Sequence, residues 1–152
     1  MCALIAAVGG IFLDLEAAVP QLLGFVHAFT PAELLAAQRE QKRSANYLEL
    51  LGIRYWWDQY GQHCVAKRVL LATDSRVSYE VLRKGYSQCG KMQFVVREVQ
   101  CAAAKVFATP RVRSVVGAVF NKVADLLSRG DECGAETVAR RLFGLRLDVS
   151  HV

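Results

Sequence analysis

The segment KRVLLATDSRVSYEVLRKG, residues 67–85, contains the pattern that decides the fold. Its unbroken apolar run, VLLA, predicts a strand that is buried on both faces. The spacing after the run predicts a helix that stops at Gly85, because glycine favours the end of a helix. Asp74 therefore stands at the carboxyl end of a strand, where it can bind a metal ion, or where it or Ser75 can cap the helix.

On both sides of this segment, strands alternate with helices. Hydrophobic periodicity and turn residues predict strands over 3–13, 21–29, 68–72 and 111–116. The same signals predict helices over 32–40, 46–61, 75–85, 92–106, 121–130 and 136–143. This order favours an α/β fold in which a mixed β-sheet is flanked by helices.

Length and composition favour a single globular domain over residues 1–152, with 53% apolar and 22% charged residues. The five cysteines include no C-x-x-C pair, which argues against a disulfide framework or a zinc site. We therefore expect a reducing, intracellular compartment. The apolar start, residues 1–13, is shorter than the roughly 20 residues that cross a bilayer, so no membrane span is expected.

The charge is distributed unevenly along the chain. Residues 1–40 carry one arginine and four acids, for a net charge of −3, whereas residues 41–152 carry 18 Lys/Arg and 10 acids, for +8. A basic body suits a polyanionic partner such as nucleic acid. An ordinary solvated basic surface explains the charge equally well.

Three acids stand at marked positions in the predicted order: Glu49 at the start of a helix, Asp74 after a strand, and Asp125 one turn into a helix. Clustered carboxylates suit Mg²⁺, which prefers oxygen ligands. Each acid also has a structural explanation. Asn46 and Glu49 have the spacing of a capping box, Asp74 is a candidate helix cap, and Asp125 can be an exposed acid.

Taken together, the segments NYLELLGI, RVLLATDSRVSYEVLRKGYS and VVGAVFNKVADLLSRGD resemble the ribonuclease H domain of retroelement reverse transcriptases. The resemblance covers residues 45–131 best, with shortened N-terminal strands and a connector over 1–44 and a C-terminal helix and tail over 132–152. It implies two-metal hydrolysis of RNA in RNA–DNA hybrids. It also implies that Glu49, Asp74 and Asp125 are the catalytic residues and hold Mg²⁺.

The chain departs from the family at its N-terminus. The family's first strand carries an aspartate ahead of a Gly-Gly segment, and alignment on Gly9-Gly10 places Cys2 at that position. A neutral thiol is a poor ligand for Mg²⁺. The resemblance thus implies a shortened first strand and weak or lost hydrolysis, in a degenerate copy of the domain or in a fragment that starts further upstream.

The resemblance also indicates how a substrate would be bound. An RNA–DNA hybrid is recognised by its shape, its 2′-hydroxyls and its phosphates. Arg76, Lys84 and Lys91 are the candidate phosphate contacts, although solvated basic residues on a helix have the same pattern.

Two alternatives remain open. The first is a non-catalytic interaction or nucleic-acid-binding module, in which an exposed Trp56-Trp57 pair faces a protein partner in a larger assembly. The second is a nucleic-acid-binding α/β domain unrelated to the family, in which the three acids lie far apart.

Overall fold

The computed structural model describes residues 7–39, 44–115 and 121–152. The strands within these ranges are β1 (Ala7–Asp14), β2 (Gln21–Ala28), β3 (Arg68–Thr73), β4 (Thr109–Ser114) and β5 (Leu147–His151). The helices are α1 (Pro31–Arg39), α2 (Ser44–Tyr60), α3 (Arg76–Lys84), α4 (Gly90–Lys105), α5 (Lys122–Ser128) and α6 (Glu132–Phe143). The predicted α/β class, with a mixed sheet flanked by helices, is confirmed and is consistent with a ribonuclease H-like fold.

The chain divides into two compact units, Met1–Pro31 with Val119–Val152 (unit 1) and Ala32–Ala118 (unit 2). The single domain expected from composition stays a prediction. None of the helices within the described ranges is long and apolar enough to cross a membrane.

Unit 1 is built on a three-stranded mixed sheet in the order β1-β2-β5, where β2 runs antiparallel to β1 and parallel to β5. Helix α5 packs on β1 and β2, and α6 packs on α5 and β5. At Gly9 the chains approach so closely that a Cβ atom would lie 2.7 Å from the Ala124 carbonyl oxygen. The core consists of small and branched apolar residues: Leu22, Val123, Leu127, Ala135, Ala139 and Leu147.

Unit 2 pairs β3 with β4 in parallel; α3 and α4 contact these strands, and α2 packs on α3 and α4. Helix α3 ends at Gly85, which adopts the predicted left-handed conformation (φ 79°). The periodicity predicted for α4 is confirmed, since its buried residues follow one helical face: Met92, Val95, Val96, Val99 and Ala103. Helices α2 and α4 pack against each other and form much of this core.

Three sequence expectations about burial and sheet pairing are wrong. Leu70 is 69% exposed while Leu71 is buried, so β3 alternates and has one solvated face. Trp56 and Trp57 are both buried and stack edge to face in the core, so they do not form an exposed pair. The predicted C-terminal tail contains β5, whose pairing with β2 depends on contacts far apart in the sequence.

Three predicted helix starts also need correction. Helix α2 already includes Ser44, which places Asn46 within the helix and removes the proposed capping box with Glu49. The helix predicted over 121–130 starts one residue later in the structure, where α5 spans Lys122–Ser128. Helix α1 begins at Pro31, one residue before the start predicted from the sequence, because proline is favoured at the first position of a helix.

Candidate metal centre

Two of the three predicted acids interact electrostatically where β3 passes into α3. Asp74 follows the last residue of β3 and is exposed, whereas Glu49 projects from α2 and is half-buried. In addition to burial, the Asp74 charge raises the pKa of Glu49, and interaction with the Ser75 side chain lowers it. The carboxyl end of β3 therefore carries a pair of carboxylates within electrostatic reach of each other.

Ser75, rather than Asp74, starts the helix that follows. The Ser75 side-chain oxygen accepts a hydrogen bond from the backbone N–H of Ser78 at 3.2 Å, which is the bond of an N-cap. The backbone N–H of Ser75 donates to the hydroxyl oxygen of Thr73 at 3.1 Å. Because Ser75 supplies the cap, the carboxylate of Asp74 is not needed for it.

The Glu49 carboxyl has a perturbed proton affinity. Burial raises the pKa of Glu49 above its ordinary value, the Ser75 hydrogen bond partly lowers it, and the Asp74 charge raises it further. Burial and a like charge both disfavour the ionised form. A bound cation would offset both effects, which is the electrostatic condition under which paired carboxylates hold a metal ion.

Asp125 belongs to unit 1, where it lies in the first turn of α5. Its Oδ1 atom is 3.4 Å from Nε of Arg129, one turn later on the same helix. Cys2, the position of the lost aspartate, lies outside the described residues. Among the residues that the structure describes, no group of three or more His, Cys, Asp or Glu side chains could hold a metal ion. The role of Asp125 stays a prediction.

The donor set of Glu49 and Asp74 fits a single hydrated Mg²⁺. This ion is commonly held by one or two carboxylates and keeps several water molecules. The two side chains offer only hard oxygen donors, which is the chemistry Mg²⁺ requires. They do not by themselves supply the ligands of a two-metal centre.

The three predicted phosphate contacts differ in their surroundings. Arg76 is exposed in the first turn of α3, two residues from Asp74. Lys84 is exposed at the end of α3, with its Nζ atom 3.8 Å from Glu80. Lys91 Nζ donates to the carbonyl oxygen of Ala36 at 3.1 Å, so part of its donor capacity is used within unit 2. Arg76 is therefore the best placed of the three.

Sequence reasoning missed the hydrogen bond between Ser75 and Glu49. The two residues are 26 positions apart on different elements, and nothing in their local patterns links them. The only signal in the sequence was the pair Asp74-Ser75 directly after a strand. One residue of such a pair can cap the next helix while the other contributes to a site at the strand end.

Comparisons with known proteins add no relative. The chain matches no family model, no curated protein and no solved structure.

Proposed function

We propose that the chain is a retroelement-derived ribonuclease H-like domain that binds RNA–DNA hybrids and whose hydrolytic activity is weak or lost. The proposal is supported by the electrostatic interaction between Glu49 and Asp74 at the carboxyl end of β3, where Ser75 rather than Asp74 caps α3. Sites in α/β proteins form at such strand ends.

In this proposal Glu49 and Asp74 hold Mg²⁺. A bound Mg²⁺ supplies charge that activates water and stabilises a leaving oxygen in phosphodiester hydrolysis. Ser75 orients the Glu49 carboxylate through its hydrogen bond, and Arg76, exposed beside Asp74, contacts a phosphate of the hybrid. The role of Asp125 remains the one that the sequence resemblance implies.

Hydrolysis is weak or lost because the first aspartate of the family pattern is a cysteine here. Soft thiol sulfur does not replace a carboxylate as a Mg²⁺ ligand. With that ligand gone, the arrangement retains one ion more readily than two, and the two-ion geometry is the one that stabilises both attacking and leaving oxygens.

A binding and cleavage experiment tests the proposal. We expect Mg²⁺ to raise the thermal stability of the chain, by about 1.4 kcal/mol when its concentration is ten times its Kd. Asp74→Asn should abolish this gain and weaken Mg²⁺-dependent binding of a labelled RNA–DNA hybrid. Asp58→Asn is the matched control, because Asp58 is an exposed acid of unit 2 on α2. Equal Mg²⁺ responses in the parent chain and in Asp74→Asn would refute the proposal.

The cleavage arm uses the same labelled hybrid. The parent chain should cut slowly or not at all, and Cys2→Asp should increase cleavage. The alternative, a non-catalytic interaction or nucleic-acid-binding module, predicts hybrid binding that responds neither to Mg²⁺ nor to Asp74→Asn. Because Trp56 and Trp57 are buried, that alternative loses its partner-facing aromatic pair.

A further inference from the structure

In the part of the chain that the structure describes, one face of the β3–β4 pair is exposed. Strand register and the alternation of side chains place six residues on this face, and all six are exposed. We call it the arginine face; its residues are Arg68, Leu70 and Ala72 on β3 and Thr109, Arg111 and Arg113 on β4.

On the opposite face, the side chains of β3 are packed. Val69, Leu71 and Thr73 point to that side and are buried, and helices α3 and α4 contact the strands. Parallel strands are normally covered on both faces. The arginine face departs from this rule, and Leu70 at its centre is 69% exposed. A parallel pair with a bare face is an expected place for a binding partner.

The charge of the arginine face indicates the chemistry of that partner. Three of its six residues are arginines and none is acidic. Within the described ranges, no carboxylate forms an ion pair with Arg68, Arg111 or Arg113. Arginine binds phosphate through its planar, two-pronged guanidinium group. An anionic partner with several charges would match this surface.

An exposed aromatic residue precedes β4, one of the two strands that carry the arginine face. Phe107, two residues before β4, is 79% exposed and has a left-handed backbone (φ 54°). A bulky residue rarely adopts this conformation, and such strain concentrates at functional positions. The loop is held in place: the Ala66 N–H donates to the Val106 carbonyl at 2.8 Å, and the Thr109 N–H donates to the Lys67 carbonyl at 2.9 Å.

We propose that the arginine face and Phe107 bind a single-stranded nucleic acid, with arginines on its phosphates and Phe107 stacked on a base. Surfaces that bind single strands without sequence preference combine a positive track with aromatic side chains. The site uses neither Glu49 nor Asp74, and it does not depend on the proposed hydrolytic function.

Nucleic acid fits this surface better than an acidic protein segment. Arg111 and Arg113 are two residues apart on one strand, roughly 7 Å by the rise of a β-strand, so they present a repeated charge to a repeated backbone. An acidic peptide also carries repeated charge, but it offers no flat ring to an exposed phenyl group. The combination of arginines and Phe107 therefore favours a strand with bases.

The test measures fluorescence anisotropy of labelled oligo-uridine and oligo-thymidine of about 12 nucleotides, within the range of known site sizes. The full chain is titrated in EDTA, so the measurement does not depend on Mg²⁺. Arg111→Gln with Arg113→Gln should weaken binding about tenfold at low salt and reduce the slope of log K against log salt by about 1.4. Phe107→Ala should weaken binding by about fivefold or more.

Matched controls separate the site from general charge and hydrophobicity. Arg141→Gln with Arg146→Gln removes the same charge from exposed positions of unit 1, and Phe94→Ala removes an exposed phenyl group from α4. Both controls should bind like the parent chain. Equal losses in the controls, or no loss in the test variants, would overturn the proposal. Competition by poly-glutamate as effective as by oligo-uridine would overturn it in favour of an acidic protein partner.

The two proposals can fail separately. Asp74→Asn should keep full binding of the single strand in EDTA, because Asp74 is outside the arginine face. Loss of the Mg²⁺ response with normal strand binding would remove only the hydrolytic proposal, and the opposite result would remove only this one.

Discussion

In the β1-β2-β5 sheet of unit 1, helix α5 packs so closely that a glycine is needed at position 9, whereas the β3–β4 pair of unit 2 leaves an entire face in solvent. Unit 1 consists of the two ends of the chain and buries small and branched apolar residues against one another. Unit 2 is continuous in sequence and carries the polar features: the Glu49–Asp74 pair and the arginine face.

This difference shows how packing and chemistry can be separated within one small protein. A tightly covered sheet contributes stability but has little surface left for binding. A partly uncovered sheet buries less apolar area and keeps charged side chains accessible. Substitutions in the sheet of unit 1 should therefore change stability, and substitutions on the exposed features of unit 2 should change binding or pH dependence.

The largest expected effect is the difference in stability loss between two leucine-to-alanine substitutions, one in each unit. Leu127→Ala should lower the free energy of unfolding by about 2–5 kcal/mol, because Leu127, on α5, is fully buried in the core of unit 1. Leu70→Ala should change it by no more than about 0.5 kcal/mol, because Leu70 lies on the arginine face. Urea unfolding measures both values, and similar losses would contradict the comparison.

A smaller effect is expected from adding one methyl group at glycines. Gly9→Ala should cost about 1–3 kcal/mol, because the new Cβ would lie 2.7 Å from both the Ala124 carbonyl oxygen and Leu127 Cβ. Gly90→Ala is the control, since a Cβ there meets nothing within 4 Å. If thermal unfolding showed Gly9→Ala to be as stable as Gly90→Ala, the close approach of α5 to β1 would be wrong.

The smallest effect concerns pH. The pKa of Glu49 is raised in the folded state, so the folded chain holds this proton more tightly than the unfolded chain. Stability from this group is present below its ordinary pKa and is lost as pH rises through the folded value. Glu49→Gln should remove that loss, which is measured as the change in thermal midpoint between about pH 4 and pH 7.

Glu80 provides the control of opposite sign. The hydrogen bond from Arg83 lowers the pKa of Glu80, so its contribution is present at higher pH and is lost as pH falls. Glu80→Gln should therefore flatten the acid side of the profile. A Glu49→Gln profile that matches the parent chain would show that Glu49 is not perturbed by its surroundings.

Local signals predicted the helices well. Gly85 ends α3 and the apolar spacing of α4 identifies its buried face, because both features depend on residues within one or two turns. Pro31 likewise marks the first residue of α1. These elements needed no information from the rest of the chain.

Features set by distant contacts were missed. Strand β5 has a weak pattern because only Leu147 in it is buried, and its partner β2 is more than 100 residues away. The apolar run of β3 indicated two buried faces, but the sequence could not show that no helix covers Leu70. The capping box at Asn46 was locally reasonable and was overridden because α2 includes Ser44.

The candidate site shows the same division. The sequence predicted that Asp74 follows a strand. The interactions of Asp74 and Ser75 with Glu49 could not be predicted, because they depend on how α2 packs. The sequence pattern did not predict the arginine face either. In the sequence, Arg111 and Arg113 are only the polar positions of an alternating strand. The register with β3 shows that Arg68 and Leu70 lie on the same face as these arginines.

The pairing of β2 with β5 has a consequence for folding during synthesis. His27 Nδ1 lies 3.0 Å from the carbonyl oxygen of Val152, although 125 positions separate the two residues. During synthesis, the β5 side of β2 lacks its partner until β5 has been made, and all of unit 2 lies between these two strands in the sequence. Unit 2 is continuous in sequence. It does not depend on a partner strand that is synthesised much later, so it can fold before β5 has been made.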